Sequence, residues 1–317
     1  MNTQLSNLYA MTEDTPEKRK YDEAAKNILS NRYILAHILK HLVEDVRDCS
    51  IEEIISFMDG LPIVSKVPVP PILRGENLES KLLGEGTVFY DVRFSIYPNG
   101  DRKCRIFFNV ESQKDYYPGY SIPTRGIFYG ARMLSEQLES EFSPPDYDQL
   151  KKVYSIWVCL DPAKYIGNAI SEFFIDKRDI LGHIPCRQED YDKLRVIQIC
   201  LQPETPGTEH PVIRLLNTSF SRKSRNEIDT IMEEEFQIPP EEGIGREVEI
   251  MCNLSDLIEE QGIQKGIEQG IEQGIEQGAL ITIRQALDNG MEEAAVKQYL
   301  NATDEQIEQA KRLVLKA

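Results

Sequence analysis

The stretch Thr87–Gln113, TVFYDVRFSIYPNGDRKCRIFFNVESQ, constrains the fold more than any other part of the chain. It reads as two strands joined at Pro98-Asn99-Gly100-Asp101, turn chemistry expected between hairpin strands. On the first strand Val92, Phe94 and Ile96 alternate with Asp91, Arg93, Ser95 and Tyr97. On the second, Ile106, Phe108 and Val110 alternate with Arg105, Phe107, Asn109, Glu111 and Gln113. Successive strand side chains point to opposite faces, so each strand has one apolar face and one mostly polar face. If both apolar faces line one core, then Asp91, Glu111 and Gln113 share the other. A two-residue Asn99-Gly100 loop turns Glu111 away from Asp91. A pairing in which residue numbers sum to an even value, through a three-residue loop or a bulge, puts Asp91 near Asn109 and Glu111. The even register is expected, because a slip by one residue buries a carboxylate on the apolar side.

Two acids brought together repel, and a hard divalent cation with oxygen ligands relieves that repulsion. Mg²⁺ accepts one or two carboxylates, keeps several waters and binds phosphates. A metal-bound water can act as a nucleophile while the ion stabilises charge at phosphorus. Mn²⁺ can substitute for Mg²⁺ in such a set. The competing reading is a solvated strand face on which Asp91 and Glu111 never meet.

Upstream, residues 15–48 read as one or two helices: Pro16 suits a first turn, and Ile34, Leu35, Ile38, Leu39, Leu42 and Val46 recur at helical spacing. Ser50-Ile-Glu-Glu starts a further helix that Gly60 closes. His37 and His41 are four apart, but no third ligand lies near in sequence, so they read as ordinary helix histidines. Residues 61–86, with Pro62, Pro68, Pro70 and Pro71, read as an irregular connector. A helix is expected over Thr124–Phe142, packing through Ile127, Phe128, Met133, Leu134 and Leu138. Arg125, Tyr129 and Arg132 then share a face, and if that face looks toward Glu111, Arg125 and Tyr129 are candidate phosphate contacts; the alternative is that Tyr129 packs in the core and Arg125 pairs with an acid. Val153–Leu160 is a short continuous apolar run that suits a central strand covered on both faces. Further strand patterns fall at Ala169–Ile175 and Arg195–Leu201, and helices at 211–220 and 223–236.

FYDVRF (89–94), NVESQ (109–113), YPGYSIPTRGIFYGARMLSEQ (117–137) and KVYSIWVC (152–159) together resemble the PD-(D/E)XK nuclease superfamily, in its Rpn-like recombination-promoting nuclease and transposase-related branch. The resemblance spans most of residues 20–280. It implies a mixed α/β sheet flanked by helices and an αβββαβ order of elements. It also implies a Mg²⁺-dependent DNA endonuclease with a role in recombination, a mobile element or defence. Carried over by position, Asp91 is the first motif acid and Glu111 the second. The Ser112 carbonyl is a further metal ligand, and Gln113 stands where the motif lysine would orient the water. Glu44 is the best-placed first-helix acid to complete the metal site, with Glu52 and Glu53 competing. Gln113 departs from the motif: a neutral amide orients water but supplies no charge.

The net charge of −17 is unevenly spread. Between Glu227 and Glu276 fifteen acids face only Arg246 and Lys265, a local charge of −13 that leaves about −4 elsewhere. Local basic clusters fall at Arg102-Lys103-Arg105 and Arg222-Lys223-Arg225, and strong non-specific affinity for DNA is not expected from this charge. Six scattered cysteines, the lack of an apolar N-terminal stretch and the lack of a long apolar run point to a reduced cytoplasm and no membrane. The expected organisation is N-terminal helices (1–60), catalytic core (61–205), helical extension (206–250) and tail (251–317). In the tail, Gly262, Gly266, Gly270, Gly274 and Gly278 recur every four residues with Ile263, Ile267, Ile271 and Ile275 behind the first four. Each glycine costs about 1 kcal/mol of helix propensity, so residues 262–278 read either as a weak helix that pairs with a second copy through the Ile row or as a flexible solvated tether. Residues 279–317 read as a helical hairpin with a turn at Gly290 and a capping box at Thr303. A rival reading is a catalytically silent scaffold that assembles through this acidic tail; another is a phosphate-ester enzyme acting on RNA or nucleotides.

Overall fold

The computed structural model describes residues 16–58, 60, 63–64, 79–81, 87–101, 104–202 and 210–313. The chain divides into two compact units, Met1–Leu254 and Ser255–Ala317.

The first unit is an α/β structure built on a six-stranded mixed sheet in the order β1-β4-β5-β6-β8-β7. These strands are β1 (Ile63–Val64), β4 (Val92–Ile96), β5 (Ile106–Asp115), β6 (Lys152–Asp161), β7 (Ala169–Phe174) and β8 (Leu194–Cys200). A separate ladder joins β2 (Glu79–Lys81) to β3 (Thr87–Phe89). The connector 61–86 therefore carries short strands at both ends; the rest of it lies outside the described residues. β5, β6 and β8 are parallel, and β1, β4 and β7 pair antiparallel to their neighbours.

The hairpin takes the even register: Val92 pairs with Val110, Arg93 with Asn109 and Phe94 with Phe108. The connection differs from the expected short turn. It runs from residue 97 to 105 and begins with a 3₁₀ turn over Pro98–Gly100, with Gly100 at φ 70°. A loop centred on residue 101 preserves the parity of the pairing, which is what keeps both apolar faces on one side. Phe94, Phe108 and Tyr154 stack in a row along that side.

That side packs against α1 (Pro16–Ser30), α2 (Arg32–Leu42) and α3 (Ile51–Phe57), joined by α6 (Pro211–Ser219) and α7 (Arg225–Phe236). α2 starts at an Asn31 cap and α3 at the Ser50–Glu53 capping box. His37 gives its Nε2 to the carbonyl of Phe236, a role in packing rather than metal binding.

The opposite side was expected to be mostly polar and is instead buried under α4 (Ile122–Ser135). This helix begins earlier and ends sooner than Thr124–Phe142, because Ser121 caps it and Pro123 sits in its first turn. Its packing side also differs. Ile127, Phe128 and Leu138 are exposed, while Gly126, Tyr129, Gly130 and Met133 face the sheet. Backbone proximity decides this orientation: a Cβ on Gly126 would come within 2.5 Å of Val196 Cγ1 and 2.9 Å of Trp157 Nε1. The glycine stripe lets the helix axis approach the sheet, so Arg125 and Tyr129 turn toward β5 and β6. β6 is central and buried from Val153 to Cys159, as its apolar run suggests. The short helix α5 (Gln188–Tyr191) precedes β8.

α8 (Gly245–Asp288) is continuous through the glycine repeats, and the boundary between the units falls within it. In the second unit Leu280 and Ile283 pack with Val296 of α9 (Glu293–Leu300) and with Ile307 and Ala310 of α10 (Asp304–Arg312). Gly290, at φ 88°, ends α8, and the Thr303–Gln306 capping box starts α10. Ile263, Ile267, Ile271 and Ile275 are all exposed. Among the described residues no helix is long and apolar enough to cross a membrane.

Candidate functional site

Asp91 lies one residue before β4, and the even register sets it across from Glu111 on β5. The two residues clasp each other. The Asp91 N–H donates to Glu111 Oε1 at 3.1 Å, and the Ser112 N–H donates to Asp91 Oδ2 at 3.0 Å. Asn109 Nδ2 gives Glu111 Oε1 a second donor at 3.2 Å. Glu111 is only 3% exposed because α4 covers this face. Burial, and then the nearby Asp91 carboxylate, push its pKa well above the ordinary range; the two hydrogen bonds and Arg125 work against that rise.

Two cations reach the pair from opposite sides of the sheet. From α1, Lys26 Nζ lies 2.8 Å from Asp91 Oδ1. Burial pulls this ammonium down, but Asp91, with Asp22 and Glu111, outweighs it and holds the Lys26 pKa above its usual value. From α4, Arg125 is held over the rings of Tyr120, Tyr129 and Trp157 at 5.1, 5.0 and 5.1 Å. Its Nη2 donates to Tyr129 OH at 2.7 Å, and its Nη1 donates to Tyr120 OH. Tyr129 itself packs between Tyr90 and Trp157, and burial raises the pKa of its phenol. Gln113, two residues beyond Glu111, accepts from Tyr120 OH at 3.2 Å. Asp91 and Glu111 thus form one bonded pair, and Gln113, Arg125 and Tyr129 a second set joined through Tyr120, with the Arg125 charge acting on Glu111. Lys114 points the other way, toward Tyr21.

Comparison with protein-family models, curated proteins and solved structures returns no match. What the site can do rests on its own chemistry.

Glu44 does not join the group. It is 65% exposed and lies 3.7 Å from Arg195, at the opposite ends of the parallel strands from Glu111. There it lines a cleft of about 790 Å³ with Asp45, Lys152 and Asp192. Lys152 pairs with both Asp45 and Asp192, and Arg195 with Asp192 and Glu172, so this cleft is occupied by its own ion pairs. Glu44 misses the acid pair because α2 ends at Leu42 and the chain turns through a 3₁₀ segment, Glu44–Val46. Glu52 and Glu53 start α3, where Glu53 is used in the cap. Of the basic clusters, Arg102 and Lys103 lie outside the described residues, and Arg105 is bound to Glu141 and stacked on Phe107.

Lys26 is the residue that sequence patterning missed. Its position, on the turn of α1 before the buried Ile28 and Leu29, reads as an ordinary exposed helix lysine; only the tertiary packing brings it beside Asp91. The donors are carboxylate oxygens, the kind a hard divalent ion takes, but among the described residues only two carboxylates supply them. Two carboxylates meet, and Asn109 Oδ1, buried beside Glu111, has no hydrogen-bond partner among the described residues. No group of three or more His, Cys, Asp or Glu side chains forms a metal cluster among those residues. The expected Ser112 ligand is represented here by its N–H, which holds Asp91.

Proposed function

We propose that the chain is a Mg²⁺-dependent endonuclease that hydrolyses phosphodiester bonds in DNA, on a PD-(D/E)XK-like core. The observation that carries this reading is the Asp91–Glu111 clasp with Lys26 beside it. Asp91 and Glu111 would hold Mg²⁺, or Mn²⁺ in its place. When bound, the ion supplies an acidified water and offsets the charge that builds up at phosphorus. Lys26 provides the fixed positive charge that an amide at position 113 lacks, and it enters from a helix rather than from the strand. Gln113 has its carbonyl oxygen engaged by Tyr120, which leaves its N–H donors for a water or a phosphate oxygen. Arg125 is immobilised by three rings and two phenols, so its charge beside Glu111 is preorganised for a phosphate. Burial and the Asp91 carboxylate raise the Glu111 pKa, and a cation held between the two acids would favour its ionised form.

Nicking of supercoiled plasmid tests the reading. Wild type is expected to cut with Mg²⁺ or Mn²⁺ and to stop in EDTA. Asp91→Ala, Glu111→Gln and Lys26→Gln are each expected to cost at least about a hundredfold, the scale set by losing one electrostatic group at a reacting centre. Cleavage by the acid variants at the wild-type rate would contradict it.

One observation favours a non-catalytic scaffold: Asp91 is already paired with Lys26 and with the Ser112 N–H, and Glu111 Oε1 already accepts from Asp91 and Asn109. In that case no metal supports cleavage, and assembly through the exposed isoleucines of α8 is the activity left to measure.

A further inference from the structure

We infer that the mouth of this site is a stacking platform for unpaired nucleotides, so that the strand accepted beside Asp91 and Glu111 is single-stranded or locally opened. The inference rests on the nuclease reading for the chemistry but not for the binding.

Three tyrosines are exposed on the loops that follow β5 and β6: Tyr117 (58%), Tyr120 (44%) and Tyr165 (77%). β5 and β6 are parallel neighbours, so both loops leave the sheet at its carboxyl end, the usual place for ligands in such sheets. The loops are joined there, with the hydroxyls of Tyr117 and Tyr165 in contact. Half-buried Tyr116 supports the group from below, its ring edge-on to Tyr117 at 4.8 Å. Tyr120 connects the platform to the acid pair: its hydroxyl binds Gln113, and its ring carries Arg125.

Large flat side chains this exposed offer faces to bases, and stacking on aromatic rings tolerates any base. The charge argues for the same occupant. Among the described residues the cations placed beside the acids are Lys26 and Arg125, fewer than make up the phosphate clamp that grips a rigid duplex. A strand that gains affinity from stacked bases needs fewer phosphate contacts. With about two phosphates neutralised, the salt slope for a single strand is expected to be shallow, no steeper than about −2.

The test separates binding from cutting. Fluorescence anisotropy in EDTA, with Glu111→Gln protein, compares labelled single-stranded DNA, single-stranded RNA and duplex DNA of one sequence. Preference for either single strand is the expected result, with the DNA and RNA arms showing which sugar is favoured. Tyr117→Ala and Tyr165→Ala are expected to weaken it about tenfold, and Tyr117→Phe to retain it. Both sites are on the surface, and circular dichroism melts confirm that the variants fold. Equal or tighter binding of duplex, or alanine variants that bind like the parent, would overturn the inference even if plasmid nicking succeeds. Single-strand binding lost on Tyr→Ala, with no cleavage under any metal, would sink the nuclease reading and leave the platform standing.

Discussion

Glu111 is held where function and stability pull apart. Its carboxyl is buried beside Asp91, so the folded chain keeps its proton to a higher pH than the unfolded chain does. Above the ordinary value of 4.5 the folded state therefore binds more protons, and stability falls as pH rises through that window. Glu111→Gln can still accept the Asp91 and Asn109 N–H groups through its amide oxygen. In metal-free urea unfolding, the variant is expected to gain stability relative to wild type as pH rises above the ordinary carboxylate range. It should gain this while losing activity. A difference that stays constant with pH would show that the buried charge is not the source. At the same scale, Lys26 illustrates a limit of pattern reading. Asp91 and Glu111 were legible because strand alternation and parity place them together, whereas a lysine three-dimensionally opposite them carries no local mark.

α4 shows the same limit in an element. Apolar periodicity assigns its buried side to Ile127, Phe128, Met133, Leu134 and Leu138; Met133 and Leu134 do pack there, but Ile127, Phe128 and Leu138 are exposed and Gly126 and Gly130 take the close seat. Hydrophobic spacing records side chains that fill space, while close packing here depends on side chains that are missing. The sheet was easier to read: even register, central β6 and strands near 169–174 and 194–200 all follow from alternation and apolar runs. Gly126→Val should lift α4 from Trp157 and Val196 and cost about 1–3 kcal/mol, the usual penalty for overpacking. Because Arg125 rides on the same turn, nicking should fall further than the loss of folded protein explains. Wild-type urea midpoints for this variant would argue against the close seat.

Across the whole molecule, charge and repeats divide the chain more clearly than sequence motifs do. The acidic segment lies mostly in α7 and α8, and the second unit builds its own small core around Val296 and Ile307. The four isoleucines of the repeat remain exposed, and no Cβ would meet a neighbour within 4 Å at Gly270, Gly274 or Gly278. A four-residue step exceeds the 3.6-residue turn, so the isoleucine row winds around the axis and favours a short right-handed crossing over a long parallel seam. Sedimentation velocity is expected to show mass rising with protein concentration, more so in high salt where the Glu268, Glu272 and Glu276 charges are screened. Ile267→Gln with Ile271→Gln should return the chain to monomer. A wild-type monomer at every concentration would leave the repeat without this role.

The account turns on whether the clasped acids hold a divalent ion, and titration with Mn²⁺ followed by electron paramagnetic resonance reads that directly. Wild type is expected to bind one Mn²⁺ per chain, with binding lost in Asp91→Asn and Glu111→Gln. Wild type that binds no Mn²⁺, or variants that bind it as tightly as wild type, would contradict the account.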